Sequence, residues 1–379
     1  MSMTSNPRII RGRSASDLHF GAAHTPAARI AYGLDRLVSN DKVFAECDLI
    51  LYPGDITERL LPQPSQEAQV ARNWMDRNIE LAERHGTVLG VVEGTPMHDW
   101  FQSEYFVESN NIRGNKASLY YVKEVKIVYM EELGINVLFV PDEAHDTCQL
   151  TEIAVREALH QAGLEKVHLT IIHGQFRHQY PEHLRDTGMD FHDSDFYLSI
   201  TEHFIFAGHV HTHSIYKRIV AQGSFERLHH GYEAPKGCVG FELHLDDPSK
   251  SKVWFIENHD AMIYKTFHVK GDNLQYEADR IRLLASQQPS GSFLRVKAKS
   301  GHPILPLIKE FKKELPMYNW TTDVEKEKKK TVQEIIPAKI KRARISIRPE
   351  NIAELLKDRL EVLPENIQLD ILNVLEKCK

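Results

Sequence analysis

The chain has 379 residues, of which 42% are hydrophobic and 26% are charged, and its formal net charge is −6 at pH 7. This length exceeds what one hydrophobic core usually fills, so we expect a large domain with one or two smaller ones. The four cysteines are dispersed without a Cys-x-x-Cys pair, which argues against a disulfide framework or a zinc ribbon. The start lacks a signal-peptide core, and no apolar segment approaches the roughly 18 residues that span a bilayer. We therefore expect a soluble cytoplasmic protein without a membrane partner.

Residues 8–270 alternate between predicted strands and helices and then become mainly β. Strands are predicted at 8–16, 48–53, 87–92, 120–130, 135–140, 167–172, 204–207, 215–220, 237–245, 253–257 and 264–269. Helices are predicted from Pro26 to Leu37, at 66–85 before Gly86, and at 152–161, while residues 175–200 are predicted as a long connection. This order indicates an α/β fold with mixed sheets.

The predicted elements and the composition of the chain change after about residue 271. Residues 271–325 predict a small α+β module with helices at 273–284 and 304–315 and an alternating strand at 293–299. Residues 326–348 are rich in Lys and Arg, which is typical of a solvated linker and equally of a nucleic-acid contact. Residues 349–379 predict two amphipathic helices that either pack on their own domain or dock a partner.

Acidic and histidine motifs follow five of the short apolar strands. They are Asp17-x-His19, Gly54-Asp55, His98-Asp99, His173-Gly174 and His209-x-His211. Each motif alone says little, because an Asp after a strand is commonly a helix cap and a loop histidine is usually solvated. Strand ends meet at one edge of a sheet, however, so we expect these side chains to gather in one place. The five motifs together predict a metal site.

The ligand types predict which metals would bind. Mixed carboxylate and imidazole donors suit Mn, Fe or Zn better than Mg or Ca. The number of donors is enough for two divalent ions, and a carboxylate such as Asp55 can bridge them at a metal separation of roughly 3.5–4 Å.

The ordered motifs Ser-Asp-Leu-His-Phe-Gly, Pro-Gly-Asp, His-Asp, His-Gly-Gln-Phe and Gly-His-Val-His resemble those of the calcineurin-like metallophosphoesterases. Within that family they are most similar to the SbcD-type nuclease subunit of double-strand-break repair complexes and its phage counterparts. The segments 221–225 and 234–237 resemble the "GS" strand and "PKG" segment of this subgroup. The resemblance covers residues 8–270 and is only architectural beyond them.

The resemblance implies a four-layer αββα sandwich with a capping domain at 271–325, a basic linker at 326–348 and a partner-binding helical tail at 349–379. It implies that one ion is held by Asp17, His19, Asp55 and His211, and the other by Asp55, His173 and His209. His98 would be the general acid/base, oriented by Asp99. It further implies Mn, a homodimer, and an SbcC-type coiled-coil ATPase bound by the C-terminal helices.

One position departs from the family pattern Gly-Asn-His-Asp, whose Asn binds the second ion. Depending on the alignment, either Thr95 or Met97 stands in its place, and only Thr95 offers an oxygen that could bind metal. Of the other histidines, His24 and His213 flank ligand motifs and are the candidates to touch substrate.

The leading hypothesis is a two-metal DNA exonuclease and endonuclease that acts at DNA ends in recombination and repair. A second hypothesis is a phosphatase or small-nucleotide phosphodiesterase on the same core. The third is a degenerate scaffold subunit that binds DNA ends, which the missing Asn would favour.

Overall fold

A computed structural model describes residues 8–185, 188–231 and 233–325 of the chain. The predicted basic linker and helical tail lie outside the described residues. The described residues belong to one compact unit with a mixed α/β fold, as the order of sequence elements predicts. Within the described part of the chain, no helix combines the length and the apolar character needed to cross a membrane.

The described residues form strands and helices with the following bounds. The strands are β1 (Ile9–Ser14), β2 (Leu49–Pro53), β3 (Val88–Val92), β4 (Leu119–Val122), β5 (Lys126–Met130), β6 (Ile135–Val140), β7 (Leu169–His173), β8 (Ile205–Gly208), β9 (Ser214–Tyr216), β10 (Ile219–Ala221), β11 (Gly237–His244), β12 (Lys252–Glu257), β13 (Tyr264–His268), β14 (Phe293–Lys299) and β15 (Asn319–Glu325). The helices are α1 (Ala27–Leu37), α2 (Asp41–Glu46), α3 (Gln66–His85), α4 (Pro96–Asp99), α5 (Tyr105–Ile112), α6 (Cys148–Ala162), α7 (Glu182–Arg185), α8 (Ser194–Ile200), α9 (Leu274–Ser286) and α10 (Ile308–Glu314).

Two six-stranded sheets carry the larger part of the fold. The first has the strand order β12-β11-β1-β2-β3-β4, and the second has the order β5-β6-β7-β8-β10-β9. In the first sheet β1 to β4 are parallel, while β11 and β12 are antiparallel. In the second sheet β6, β7, β8 and β10 are parallel, and the edge strands β5 and β9 are antiparallel to their neighbours. Both sheets therefore have a parallel centre whose strand ends lie on one side.

Side-chain alternation along β2 shows how the two sheets are covered. Leu49 and Leu51 pack in a cluster that also contains residues of β6, β7 and β8, so this face of the first sheet meets the second. Ile50 and Tyr52 point the other way, into a cluster with residues of α1 and α3. The second sheet packs its remaining face against residues of α6 and α8. All five residues of β2 are buried, as expected for a parallel strand covered on both faces.

The helix α3 matches its sequence signals at both ends. The Ser65 hydroxyl accepts a hydrogen bond from the backbone N–H of Ala68 and so caps the first turn. Gly86 follows the last turn with φ of 68°, a left-handed conformation that glycine adopts without steric cost. The predicted helix at 66–85 is confirmed.

Three local predictions differ from the structure. The predicted strand at 120–130 is two strands, β4 and β5, which belong to different sheets and are joined by a turn. The predicted strand at 215–220 is a hairpin of β9 and β10 that turns at Lys217, whose φ is 53°. The predicted connection at 175–200 contains α8, whose first turn is capped by the Asp193 carboxylate. Each element is too short for periodicity to define it.

A separate three-stranded sheet with the order β13-β14-β15 follows the two large sheets. Its strands are all parallel, and α9 and α10 supply the crossover connections between them. This small module has its own apolar cluster around Ile281, Leu294 and Trp320. Its first strand begins at Tyr264, ahead of residue 271, because β13 pairs with β14 rather than with β12.

Candidate metal centre

The predicted ligands follow the parallel strands at the centres of both large sheets. Asp17 and Asp55 lie in the loops that follow β1 and β2 of the first sheet, and His173 and His209 lie at the ends of β7 and β8 of the second. The facing sheets bring these strand ends together, so residues distant in sequence become neighbours.

The backbone has an unusual conformation at four of the predicted ligands. Asp17, His19, Asp55 and His209 all have positive φ, between 52° and 89°. Such conformations are uncommon for non-glycine residues and accumulate at functional sites, where the surrounding structure over-determines them. The surrounding structure therefore fixes the backbone conformation of these four residues.

A first cluster contains Asp17, His19, Asp55 and His211, each of which contributes one donor atom within 4.8 Å of the others. The Nε2 atoms of His19 and His211 are 2.9 Å apart, and His211 Nε2 lies 3.6 Å from Asp17 Oδ1. Asp17, His19 and Asp55 are at most 2% exposed. The structure thus brings together all four residues that the resemblance assigns to one ion.

A second cluster contains Asp142, His173 and His209, again with donor atoms within 4.8 Å of one another. His209 Nδ1 lies 3.6 Å from Asp142 Oδ2, and His173 Nε2 lies 3.3 Å from Asp55 Oδ2. The same Asp55 oxygen lies 3.9 Å from His19 Nε2 in the first cluster. Asp55 therefore faces imidazoles of both clusters.

Surrounding groups fix the orientation of the histidine rings. His173 Nδ1 lies 2.7 Å from the carbonyl oxygen of Pro53, which can only accept, so Nδ1 carries a proton and Nε2 is the nitrogen that faces Asp55. His19 Nδ1 lies 2.8 Å from Glu58 Oε2, and this carboxylate orients the His19 ring in the same way. Partners of this kind on the outer nitrogen are usual for metal-binding histidines.

The charges of the two clusters depend on each other. Burial lowers the pKa of His173, but the Asp55 carboxylate outweighs burial and raises that pKa well above its ordinary value. Burial also opposes the effect of Glu58, Asp55 and Asp17 on His19, whose pKa is nevertheless raised. The pKa of Asp55 is lowered against its burial by His173, His19 and His98. The buried Asp55 carboxylate is thus stabilised by positive charge.

These residues fit a divalent cation. Asp17 and Asp55 are buried carboxylates, and a buried negative charge is costly without a compensating cation. The Nε2 atoms of His19 and His211 meet at 2.9 Å, so their lone pairs repel unless a proton or a cation lies between them. The buried Asp and His clusters could therefore hold metal ions.

The structure distinguishes Thr95 from Met97. The Thr95 hydroxyl lies 3.3 Å from His173 Nε2 and 3.4 Å from Asp55 Oδ2, next to the second cluster. Met97 is 76% exposed, so its thioether points away from the buried donors. Of the two residues that could replace the missing Asn, Thr95 is the one beside the metal-binding atoms.

His98 and Asp99 lie together in α4, but they do not touch in the predicted way. The sequence predicts that Asp99 orients His98. Instead, the Asp99 carboxylate accepts hydrogen bonds from the backbone N–H groups of Asp55, Thr57 and Gly94, because their chain segments converge around it. Burial, together with the Glu93 and Asp55 carboxylates, raises the pKa of Asp99 to about 8. Asp99 organises the loops, and the orienting partner of His98 is a different residue.

That partner is Glu58, whose carbonyl oxygen lies 2.7 Å from His98 Nδ1. The Glu58 carboxylate contacts His19 at the same time, so this residue supports two histidines of the site. His19, Glu58 and His98 form a third group of close donors. The sequence gives little signal for Glu58, since a Glu three residues after a ligand is ordinary.

Asp142 is the other residue that sequence reasoning missed. It follows β6 directly, as Asp17 follows the β1 segment, and it belongs to the second cluster. The strand-end rule, applied to Pro141-Asp142 as to the other motifs, would have found it.

The two candidate substrate contacts lie outside the clusters formed by the described residues. The exposed His24 ring lies 5.8 Å from the ring of Phe293 in the small module. His213 stacks on Phe255 at 4.3 Å, and its Nδ1 lies 2.8 Å from the carbonyl oxygen of Ala221. These contacts hold His213 between β12 of the first sheet and β10 of the second.

Comparisons with known proteins add little. No protein-family model matches the chain, and no significant match is found among curated proteins. One structural neighbour is the crystal structure of TT1561 of Thermus thermophilus, with 11% identity, 66% of this chain and 99% of that chain covered, and a TM-score of 0.37. A second solved structure has 12% identity, the same coverage and the same TM-score. Similarity at this level supports no argument about fold family or function.

Proposed function

We propose that the protein is a two-metal phosphodiesterase that cuts DNA, with the αββα sandwich of the calcineurin-like metallophosphoesterases. The observation that carries the proposal is the pair of donor clusters that share Asp55, one with Asp17, His19 and His211 and one with Asp142, His173 and His209. A structural role would not require so many buried donors at the ends of two facing sheets.

Two divalent ions, with Mn as the first choice, would act as Lewis acids on a phosphodiester and lower the pKa of water at the site. The first cluster would hold one ion. Asp142, His173 and His209, with Asp55, would hold the other, and Thr95 would place its hydroxyl beside it. Mixed oxygen and nitrogen donors favour Mn, Fe or Zn over Mg and Ca.

His98 would be the residue that moves a proton. Its ring lies 5.1 Å from the ring of His19 in an edge-on arrangement, and its Nδ1 is held by the Glu58 carbonyl. Since Nδ1 is held by an acceptor, Nε2 is the atom that would carry a proton to the leaving oxygen. In-line attack of water on phosphorus then requires His98 on the leaving-group side.

DNA as substrate, action at DNA ends, a homodimer, a cytoplasmic setting and an SbcC-type ATPase partner are proposed from the sequence resemblance. The predicted docking helices for that partner lie in 349–379, outside the described residues. The described structure contributes the donor clusters and the small module of β13, β14 and β15, which supports the proposal of a capping domain after the two large sheets.

The test incubates the full chain with Mn and labelled linear duplex DNA, and compares the unchanged protein with His98→Ala. We expect the unchanged protein to cut the duplex and H98A to lose cutting while its metal content stays nearly the same. His160→Ala is the matched control, because His160 is exposed at the end of α6 and belongs to none of the donor clusters.

Two outcomes would contradict the proposal. Turnover of small phosphoesters without any cutting of duplex DNA would indicate a phosphatase or small-nucleotide phosphodiesterase. DNA binding without turnover of either substrate, with at most one weakly held ion, would indicate a scaffold subunit.

A further inference from the structure

A cleft of about 680 Å³ lies where the small module meets the first sheet's loops. The loop after β1 contributes His24, and the segment between β10 and β11 contributes His229 and His230. The opposite wall comes from the small module, including Phe293 of β14 and Lys312 of α10. The volume is in the range that takes one small organic ligand, and no residue of the two donor clusters lines it.

One side of the cleft is a preformed aromatic surface. The half-buried Phe293 ring stacks on Tyr264 with a centroid distance of 4.8 Å and an interplanar angle of 10°. Tyr264 is only 3% exposed, so it supports Phe293 from behind. The exposed His24 ring lies 5.8 Å from Phe293 and is tilted by 46° to it. A planar ligand can therefore stack on Phe293 when the exposed His24 side chain turns aside, without moving the buried Tyr264.

The charge of the cleft favours an anion. Arg295 and Lys312 line it, and none of its lining residues is an Asp or a Glu. Within the described part of the chain Lys312 forms no ion pair, and the nearest carboxylate to Arg295 Nη1 is Asp323 at 4.0 Å. His230 Nε2 is buried and has no hydrogen-bond partner among the described residues. A buried polar atom of this kind is usually satisfied by a ligand or water.

We propose that this cleft binds one unpaired nucleotide of a nucleic-acid strand, with the base against Phe293 and its phosphate near Arg295 and Lys312. Aromatic stacking and a basic wall are the two features that sites for single-stranded nucleic acid combine. The inference rests on the proposed function, since it names the strand that the metal centre would cut. His24 is five residues from His19, so the two Cα atoms are at most about 18 Å apart and one strand reaches both sites.

The test measures binding of a short labelled oligothymidylate by fluorescence anisotropy, with EDTA present so that hydrolysis plays no part. Phe293→Leu keeps an apolar side chain but removes the ring, and we expect it to weaken binding of the oligothymidylate between about fivefold and a hundredfold. The same substitution should leave binding of a blunt duplex almost unchanged, because its bases are paired. Lys312→Ala should weaken both and lower the salt slope for the single strand by about 0.7.

Lys309→Ala is the matched control, because Lys309 is an exposed lysine of the same helix that does not line the cleft. It should bind as the unchanged protein does. K312A changes only an exposed side chain, so it keeps the inference testable if F293L does not fold.

Three results would overturn the inference: equal losses for single strand and duplex in F293L, equal effects of K312A and K309A, or competition by free thymidine monophosphate as strong as by the strand. The last result would assign the cleft to free nucleotides. Hydrolysis of a small diester by the unchanged protein with Mn tests the metal centre independently, so failure of the cleft and failure of the proposed function remain distinguishable.

Discussion

Glu58→Ala tests whether the metal centre depends on a residue that binds no metal in the predicted ligand sets. The Glu58 carboxylate lies 2.8 Å from His19 Nδ1 and fixes the nitrogen that His19 presents to the first cluster. Removing such an outer partner typically lowers metal affinity or activity tenfold to a hundredfold, which corresponds to about 1.4 to 2.7 kcal/mol. E58A should therefore weaken Mn binding by this factor. Glu58→Gln, which keeps an acceptor oxygen, should weaken it less.

Isothermal titration calorimetry with Mn measures this effect, and thermal unfolding measures stability. The Glu58 side chain is 34% exposed, but its partner His19 is only 1% exposed, so E58A leaves a buried ring nitrogen without its partner. The metal-free variant should therefore lose about 1 to 3 kcal/mol of stability, which thermal unfolding measures separately from Mn affinity. The carbonyl contact to His98 survives in E58A because it belongs to the backbone. Glu46→Gln, at an exposed position of α2, is the control. Equal Mn affinity for E58A and the unchanged protein would refute the role of Glu58.

Three further predictions concern the surroundings of the site. Gly54→Ala should destabilise the fold by more than about 2 kcal/mol in denaturant titrations, because φ is 77° and the added Cβ would lie 2.4 Å from His173 Nδ1. Gly86 also has a positive φ, but it has open space around it, so Gly86→Ala should destabilise the fold by only about 1 kcal/mol. Thr95→Asn should raise Mn affinity at the second cluster and Thr95→Val should lower it, because the Thr95 hydroxyl already lies 3.3 Å from His173 Nε2. Calorimetry measures both affinities, and equal values for the two variants would count against a role of residue 95 in metal binding. Burial raises the pKa of Glu226 to about 7, above its unfolded value of about 4.3. As pH rises between those values, the unchanged protein should therefore lose stability relative to Glu226→Gln, by at most about 1.4 kcal/mol per pH unit. A difference in melting temperature between the two proteins that does not depend on pH between 5 and 8 would contradict this prediction.

The sequence predicts the parts of the fold whose signals are local. Ser65 and Gly86 mark both ends of α3, and the apolar run of β2 indicates a strand buried on both faces. The split of 120–130 into strands of two different sheets has no clear local signal, because both halves contain the aromatic and β-branched residues that favour strands. Tertiary pairing decides it.

In the candidate site, too, some residues are predictable from the local sequence and others depend on tertiary structure. Asp17, Asp55, His173 and His209 are visible in the sequence because each ends an apolar strand, and that rule also covers Asp142. The contact of Glu58 with His19 depends on where a loop folds back, which strand-end spacing does not contain. The same holds for Asp99, whose carboxylate accepts hydrogen bonds from backbone N–H groups of converging segments and does not orient its neighbour His98.

The central claim is that two donor clusters bind two divalent ions through a shared carboxylate, and counting bound ions in variants tests it most directly. Bound Mn per chain is measured by mass spectrometry after equilibration and removal of free metal. We predict two ions for the unchanged protein, loss of one in Asp142→Asn, and weakening of both in Asp55→Asn, because Asp55 Oδ2 faces His19 and His173 together. An unchanged protein that retains no more than one ion, or an Asp55→Asn variant that retains two, would contradict the account.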